Sequence, residues 1–175
     1  MIKSLSIILL GISILFLEST DGEVWASVQQ TNPYFEDHSR RVGYKTVDEA
    51  VKEFERNCNC EVKLPTVMPE IAFTHGFSAI YDDKKNGVNQ VLQIRFVNRK
   101  LKSNNFKIEI RKDKLGMKGE EVTLQDGTKG IYSENHLFTY LVFEKNNLQY
   151  QVGLDKNLAN PDTIKVLMEV ADSIH

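Results

Sequence analysis

The chain has no excess of either charge, and this excludes one broad class of partner. Its formal net charge is −2 over 175 residues. Lys3 and three acidic residues fall within residues 1–26, so residues 27–175 carry 21 basic and 21 acidic side chains. A domain that binds nucleic acid through its overall charge is strongly basic. We therefore expect no nucleic-acid partner, and only a local patch of charge is left to attract an anion.

No apolar run reaches the roughly 20 residues that a membrane-spanning helix needs. The longest run, residues 5–17, has 13 residues, follows the positive Lys3 and ends at Glu18. This pattern is typical of a secretory signal peptide. Val24 and Ala26 supply aliphatic or small residues at positions −3 and −1, which predicts cleavage after Ala26 and a secreted or extracytoplasmic protein. A retained, membrane-anchored segment is the alternative.

Cysteine is scarce: the chain has only Cys58 and Cys60, and both lie in the part expected to be exported. Export favours oxidation, so a disulfide between the two is one interpretation, although it would close a very small ring. A local staple or two ordinary thiols at a helix end is the main hypothesis, and a redox or metal role is the alternative. The sequence has no second ligand pair at the spacing of a metal site, so we expect no metal.

The sequence also lacks the common catalytic motifs. No serine lies in a nucleophile-elbow pattern, and no glycine-rich phosphate loop is present. His75 and His136 are expected at strand edges, where a functional histidine pair is the alternative to ordinary exposed histidines. The acidic pairs at 82–83 and 120–121 fall in predicted turns with too few ligands for a dedicated calcium loop. We predict a protein without enzymatic activity and without a cofactor.

What the sequence does have is alternation of apolar and polar residues, which predicts an antiparallel sheet. Turn residues such as Asp126-Gly127 and Asn146-Asn147 separate the alternating runs. The strand at 137–144 is apolar on both faces, so we expect it to be central and covered on both sides. The predicted strands, joined as a continuous meander, are 77–82, 91–98, 106–111, 121–124, 129–133, 137–144 and 148–154.

Two amphipathic helices flank the predicted sheet. Thr46 and Glu49 form a capping-box pattern at the start of the first helix, which should end near Asn57. Asn160 is expected to cap the second helix, with Pro161 at its first position. Between the first helix and the sheet, residues 61–69 predict a short edge-like strand limited by two prolines.

The predicted fold class is therefore α+β. It consists of an antiparallel meander sheet of about six or seven strands, with an N-terminal and a C-terminal helix packed on it. The predicted domain organisation is a signal peptide at 1–26, a polar linker or arm at 27–45 and a single α+β domain at 46–175.

One stretch of charge stands out against this balanced background. Residues 95–118 hold nine basic side chains against Glu109 and Asp113. Strand alternation places Arg95, Lys107 and Arg111 on the outer face of two neighbouring strands. Clustered cations attract phosphate groups with an affinity that falls with salt, so the face predicts contact with an anionic surface. The alternative is that lysine-rich edge strands only prevent edge-to-edge aggregation.

The order of the parts resembles the family called domain of unknown function 4367. The resemblance covers residues 46–174 and lies in the capped helix, Leu64-Pro65 with Pro69, the stretches at 126–132, 140–144 and 149–152, and the final amphipathic helix. It implies an exported or membrane-tethered envelope protein of a Gram-positive bacterium, and it supplies no catalytic residues.

These observations lead to three functional hypotheses. The first is a secreted or cell-envelope binding module that contacts an anionic cell-wall polymer, lipid head groups or an envelope protein, with the anion at Arg95, Lys107 and Arg111. The second is a small exported thiol or redox protein that uses Cys58 and Cys60. The third is a membrane-tethered extracytoplasmic sensor or regulatory domain.

Overall fold

The computed structural model of the protein describes residues 40–41 and 43–175. The predicted signal peptide and most of the predicted arm lie outside the described residues. Within residues 40–41 and 43–175, no helix combines the length and the apolar character needed to cross a membrane. In chain order the elements are α1 (Val47–Cys58), β1 (His75–Asp83), β2 (Val88–Val97), β3 (Asn105–Arg111), β4 (Glu120–Thr123), β5 (Lys129–Glu134), β6 (Phe138–Lys145), β7 (Leu148–Asp155), a 3₁₀ turn (Lys156–Leu158) and α2 (Thr163–Asp172).

The α+β class is confirmed: seven strands form one antiparallel sheet, with a helix before it and a helix after it. The tight turns also form where expected, because Gly127, Asn146 and Asn147 adopt the positive φ angles that hairpin turns require. β6 lies between two other strands and is buried along most of its length, as its apolar character on both faces predicts.

The strand order differs from a simple meander at one connection. The order across the sheet is β1-β2-β3-β7-β6-β5-β4, so β3 pairs with β7 and β4 forms the far edge. Residues 112–119 carry the chain across four strand spacings, roughly 19 Å. Eight extended residues span up to about 27 Å, so the crossing is sterically easy. This order places β7, the most thoroughly buried strand, in the middle of the sheet and short β4 at its edge.

The inner face of the sheet carries the core. Alternate residues of the four central strands point to this face, among them Ile94, Ile108, Val152 and Leu141, all fully buried. Both helices pack against the same face. We use the term outer face for the opposite side of the sheet.

Helix α1 is built as its sequence predicts. The Thr46 hydroxyl accepts a hydrogen bond from the Glu49 backbone N–H at 3.3 Å, and the Glu49 carboxylate accepts one from the Thr46 N–H at 3.0 Å. This reciprocal cap satisfies backbone donors that the first helical turn leaves unpaired. Asn59 ends the helix in the left-handed conformation with φ of +50°. Val47, Ala50 and Phe54 form the buried stripe.

The segment between α1 and the sheet is not a strand, and here the prediction was wrong. Residues 61–69 instead lie across the inner face between the two helices, and both prolines are buried. The backbone bonds side chains in place of a neighbouring strand: the Lys63 N–H donates to the Tyr150 hydroxyl at 3.3 Å, and the Val67 N–H donates to the Ser173 hydroxyl at 3.1 Å. The segment thus completes the cover over the core.

Helix α2 begins two residues later than predicted, at Thr163 and not at Pro161. Asn160 does not cap it; its side-chain oxygen accepts from the Asp162 N–H at 2.9 Å and forms a separate turn before the helix. Thr163 closes the same turn, since its hydroxyl accepts from the Asn160 N–H at 2.8 Å. The helix buries Leu167, Val170 and Ala171 against the sheet, so its docking on the core follows the amphipathic pattern.

The end of the predicted arm is fixed to the sheet. The Lys45 backbone pairs with Ser78 of β1 through hydrogen bonds of 2.8 and 2.9 Å. The Tyr44 ring lies 4.6 Å from that of Phe77 in an edge arrangement. Tyr44 and Lys45, at the end of the predicted arm, therefore pack on the sheet, and the predicted domain start at residue 46 stays a prediction.

Candidate anion-binding face

The outer face brings together the three basic residues that the sequence singled out. Arg95 on β2 lies directly opposite Lys107 on β3, and Arg111 points to the same face two alternations further along β3. Strand alternation predicted this shared face, and the register of β2 and β3 confirms that geometry. Both helices of the described chain pack on the other side of the sheet.

The same three residues are far less exposed than a freely accessible basic surface requires, which corrects the expectation of an open patch. Arg111 is only 4% exposed, the Lys107 side chain is 16% exposed, and Arg95 is half-buried. Aromatic rings lie against Arg95 and Lys107, and the crossing segment after β3 lies beside Arg111. Its Leu115 backbone exchanges hydrogen bonds of 3.1 and 2.9 Å with the Gln149 side chain on β7.

Glu109 neutralises part of the basic cluster. Its carboxylate lies 3.0 Å from the Lys107 ammonium and 3.2 Å from the Arg111 guanidinium. Tyr81 and Gln93 donate two more hydrogen bonds to it, at 3.1 and 3.0 Å. Burial alone raises the pKa of the Glu109 carboxyl, but the charge and hydrogen bond of Lys107, with Gln93 and Arg111, outweigh it and lower the pKa overall. Glu109 is therefore ionised at neutral pH.

The charge on this face is unbalanced in favour of cations. Arg95, Lys107 and Arg111 stand against the carboxylate of Glu109 and, at the Arg111 end, that of Asp83, which leaves an excess of one positive charge. The buried Nε of Arg95 has no hydrogen-bond partner within the described residues, and the same holds for the buried Nε of Arg111. Unpaired, desolvated donors of this kind favour a negatively charged acceptor.

Aromatic rings flank the cations and hold them in place. The Arg95 guanidinium lies 6.0 Å from the centre of the Phe77 ring, and the Lys107 ammonium lies 4.8 Å from that of Phe138. Lys107 reaches Phe138 across β7 at Gly153, which has no side chain to block it. A Cβ on Gly153 would lie 3.3 Å from the Cβ of Tyr140, so the position has to stay small.

A polar cavity of about 330 Å³ opens beside this cluster, between the crossing segment and the sheet. Arg111, Glu109, Gln151 and Tyr140 line it from the sheet, and Met117 lines it from the crossing segment. The Arg111 guanidinium donates to the Gln151 side-chain oxygen at 3.1 Å, which fixes its orientation at the cavity wall. The cavity has the size to accept a small polar group; its lining holds the cation of Arg111 and two carboxylates, those of Glu109 and Asp83.

The remaining basic residues of the run lie at the two ends of the sheet. Arg99, Lys100 and Lys102 are exposed on the turn between β2 and β3. On the crossing segment, the Lys114 ammonium pairs with Glu144 at 2.5 Å, and that of Lys112 donates to the Cys58 carbonyl at 3.1 Å. The run is therefore three separate groups in space: one on the outer face, one at the β2–β3 turn and one on the crossing segment.

The two cysteines form a disulfide at the C-terminal end of α1. Both are half-buried and pack against the core cluster. This arrangement is that of the local staple, and the redox role stays a hypothesis.

The histidines do not converge on the cysteines. His75 is buried at the start of β1, with its Nδ1 2.7 Å from the Thr74 hydroxyl, and exposed His136 lies in the β5–β6 turn. β1 and β6 are four strand spacings apart, roughly 19 Å. In the part of the chain that the structure describes, no group of three His, Cys, Asp or Glu side chains is placed to hold a metal.

The acidic pairs behave as turn and edge residues. The Asp83 carboxylate accepts from the Asn86 side chain at 2.7 Å, and Asp82 accepts from the Gln90 N–H at 3.2 Å. The Glu121 carboxylate, on the edge strand, lies 3.1 Å from the Lys129 ammonium. These contacts match the interpretation of solvated acidic pairs.

Alternation identified the basic residues but missed the partners that shape the site. Tyr81, Gln93 and Gln151 lie on the outer face next to Glu109, yet no spacing in the sequence joins them to it. Their positions follow from the strand order, since β7 lies beside β3. Collecting the outward-pointing residues of every predicted strand would have placed Tyr81, Gln93 and Gln151 in one group with Glu109.

Comparison of the chain with protein-family models, with curated protein sequences and with solved structures gives no match. The resemblance to domain of unknown function 4367 therefore stays a prediction. Fold and site define a one-sheet α+β module with a half-buried cationic cluster on its outer face.

Proposed function

We propose that the protein is an exported, non-enzymatic binding module that acts at the cell envelope. Its outer face receives an acidic group of a cell-wall polymer. The observation that supports this most directly is the excess of cations on a face that both helices leave uncovered: Arg95, Lys107 and Arg111 against the carboxylates of Glu109 and Asp83. Export rests on the signal-peptide pattern at the N-terminus.

Binding at this face differs in kind from adsorption to a wide charged surface. Only part of the cluster is exposed, so an extended polyanion reaches Arg95 and Lys107 but not Arg111 directly. A protruding phosphate or carboxylate can enter the cavity beside Arg111. The expected ligand is therefore a polymer with phosphate groups on flexible units, such as poly(glycerol phosphate).

The test measures binding of poly(glycerol phosphate) to the chain that begins at Ser27, the expected exported form. Arg95→Gln and Lys107→Gln should each weaken binding about tenfold, because a charge-assisted hydrogen bond contributes about 1.5 kcal/mol. Lys118→Gln is the matched control, since Lys118 is exposed on the crossing segment and the substitution removes the same charge. We expect less than a twofold change for it.

Two results would contradict the proposal. One is equal weakening by all three variants, which would show that net charge and not the outer face governs binding. The other is binding of the unchanged chain to neutral dextran as tightly as to the phosphate polymer. Urea unfolding of each variant establishes that it is folded under the binding conditions.

A further inference from the structure

One end of the sheet presents two exposed leucines side by side. Leu101 lies in the turn between β2 and β3 and is 54% exposed, and Leu137 lies in the turn between β5 and β6 and is 57% exposed. These are the two most exposed large hydrophobic side chains among the described residues. Both turns lie at the same end, because Phe106, Leu154 and Thr139 share one row across β3, β7 and β6. We call this region the leucine end.

Both leucines are held in place by the same device. The side-chain oxygen of Asn98 accepts from the N–H groups of Lys100 and Leu101 at 2.9 and 3.0 Å. The side-chain oxygen of Asn135 accepts from those of Leu137 and Phe138 at 2.8 Å each. Such side-chain caps fix a turn, so neither leucine can fold back onto the core without breaking hydrogen bonds.

Three cations surround the first of these leucines. Arg99, Lys100 and Lys102 are all exposed on the β2–β3 turn, and none of them forms an ion pair within residues 40–41 and 43–175. The carboxylate beside the second leucine, Glu134, is neutralised by the Lys156 ammonium at 3.1 Å. The Asp155 carboxylate, opposite Phe138 at this end, accepts hydrogen bonds from Asn157. The leucine end therefore combines exposed apolar tips with three cations against this one further carboxylate.

We propose that the leucine end rests on an anionic lipid surface. Leu101 and Leu137 enter the boundary between head groups and acyl chains, while the Arg99, Lys100 and Lys102 cations meet the phosphate head groups. The two turns join β2 to β3 and β5 to β6, so their centres are three strand spacings apart, about 14 Å, and both leucines can contact one extended surface. Each cation near such a surface strengthens binding about fivefold.

A lipid surface fits this end better than a second polyanion does. A water-soluble polymer of phosphates pairs with the cations but offers nothing apolar to the leucines. Exposed leucines held by capped turns cost solubility, and an acyl-chain boundary removes them from water. The site is also distinct from the outer-face cluster, so the inference goes beyond the proposed function and stands independently of it.

The experiment measures co-sedimentation of the chain that begins at Ser27 with vesicles of mixed phosphatidylglycerol and phosphatidylcholine. The charge variant is Arg99→Glu with Lys100→Glu and Lys102→Glu, and we expect at least a 100-fold loss of binding. The apolar variant is Leu101→Ser with Leu137→Ser, with an expected loss of about tenfold or more. Vesicles of phosphatidylcholine alone should bind weakly.

The control variant carries the same charge change elsewhere: Lys52→Glu with Lys84→Glu and Lys85→Glu, all exposed and away from the leucine end. It should lose far less binding than the charge variant, and Arg95→Gln should lose none. Leu101→Trp adds a direct readout, since its fluorescence should shift to the blue on mixed vesicles.

Three outcomes overturn the proposal. They are the absence of binding to mixed vesicles, equal losses in the charge and control variants, and unchanged binding and fluorescence when Leu101 or Leu137 is altered. Loss of vesicle binding by Arg95→Gln would move the contact to the outer face. Loss of polymer binding without loss of vesicle binding would instead contradict the proposed function alone.

Discussion

Glu109 is the residue on which the outer face depends. It accepts hydrogen bonds or ion pairs from Lys107, Arg111, Tyr81 and Gln93, and it is nearly buried. A buried carboxylate between two cations is costly to lose, because both cations are left in a poorly solvated site. The same carboxylate also lowers the positive potential of the face.

We predict that Glu109→Gln lowers the free energy of unfolding by about 3 kcal/mol, the usual cost of breaking a buried ion pair from one side. Urea unfolding followed by circular dichroism measures the change. Glu121→Gln is the matched control, since its pair with Lys129 is exposed on both sides and should contribute at most about 1 kcal/mol. Equal effects of the two substitutions would show that Glu109 is solvated in solution.

At the scale of elements, Lys145 joins three parts of the chain. It lies near the end of β6, and its side chain is only 11% exposed. Its ammonium donates to the carbonyls of Ile174 and Ala171 at 2.8 and 3.3 Å, at the C-terminal end of α2. It also lies 3.0 Å from the carboxylate of Asp126 in the β4–β5 turn. A cation in this position satisfies carbonyls that the helix leaves unpaired and complements its dipole.

We expect Lys145→Met to destabilise the fold by about 2–3 kcal/mol, because the buried carbonyls and Asp126 lose a charged donor together. Lys165→Met is the control: Lys165 lies in α2 too, but its ion pair with Asp162 is exposed on both sides. It should change stability by less than about 0.5 kcal/mol. If Lys145→Met unfolds at the same urea concentration as the unchanged chain, the lysine does not anchor α2.

Local chemistry explains which elements could be predicted. Alternation and turn residues act over a few positions, so every strand appears within three residues of its expected bounds, and the Thr46 cap forms as its spacing predicts. The parts of the fold that could not be predicted depend on contacts between residues that are far apart in the sequence. Pro65 and Pro69 are buried because residues 61–69 pair with Tyr150 and Ser173, which are distant in sequence.

The same limit applies to the candidate site. Parity placed Arg95, Lys107 and Arg111 on one face correctly, since it is a property of each strand alone. The burial of Arg111 depends on where residues 112–119 cross the sheet, and that follows from the position of β7 beside β3. No residue close to Arg111 in the sequence indicates that β7 lies beside β3.

At the scale of the whole molecule, two groups of ionisable side chains set the pH range of stability. At low pH, the controlling group is Glu109, whose lowered pKa means that the folded state holds the ionised form. Its contribution is fully present above the pKa of the unfolded chain, about 4.3, and is lost as pH falls through the folded value. Hydrogen bonds with Thr128 and the Lys145 ammonium lower the pKa of exposed Asp126 to about 2, and water screening keeps its contribution small.

At high pH, two tyrosines with raised pKa values control stability: Tyr150, which is buried, and Tyr81, which is 37% exposed. Burial raises the pKa of the Tyr150 phenol to about 12, and burial together with Glu109 raises that of Tyr81 as well. An unfolded tyrosine ionises near pH 10, so the unfolded chain loses these protons first. Stability is therefore intact below about pH 10 and falls above it, by at most about 1.4 kcal/mol per pH unit for Tyr150 and by less for Tyr81, because water screens its exposed side chain.

We expect Tyr150→Phe to flatten part of the fall between about pH 10 and pH 12, since the phenylalanine ring has no proton to lose. At neutral pH the same variant should be less stable by about 1 kcal/mol, because the Lys63 N–H loses its hydrogen-bond acceptor. Urea midpoints measured across the alkaline range give both quantities. The fall in stability at low pH serves as the internal control. It depends on Glu109, so it should be the same in Tyr150→Phe and in the unchanged chain. The prediction is contradicted if the stability of Tyr150→Phe falls above pH 10 as steeply as that of the unchanged chain. That result would mean that Tyr150 ionises in the folded state, although its side chain is fully buried.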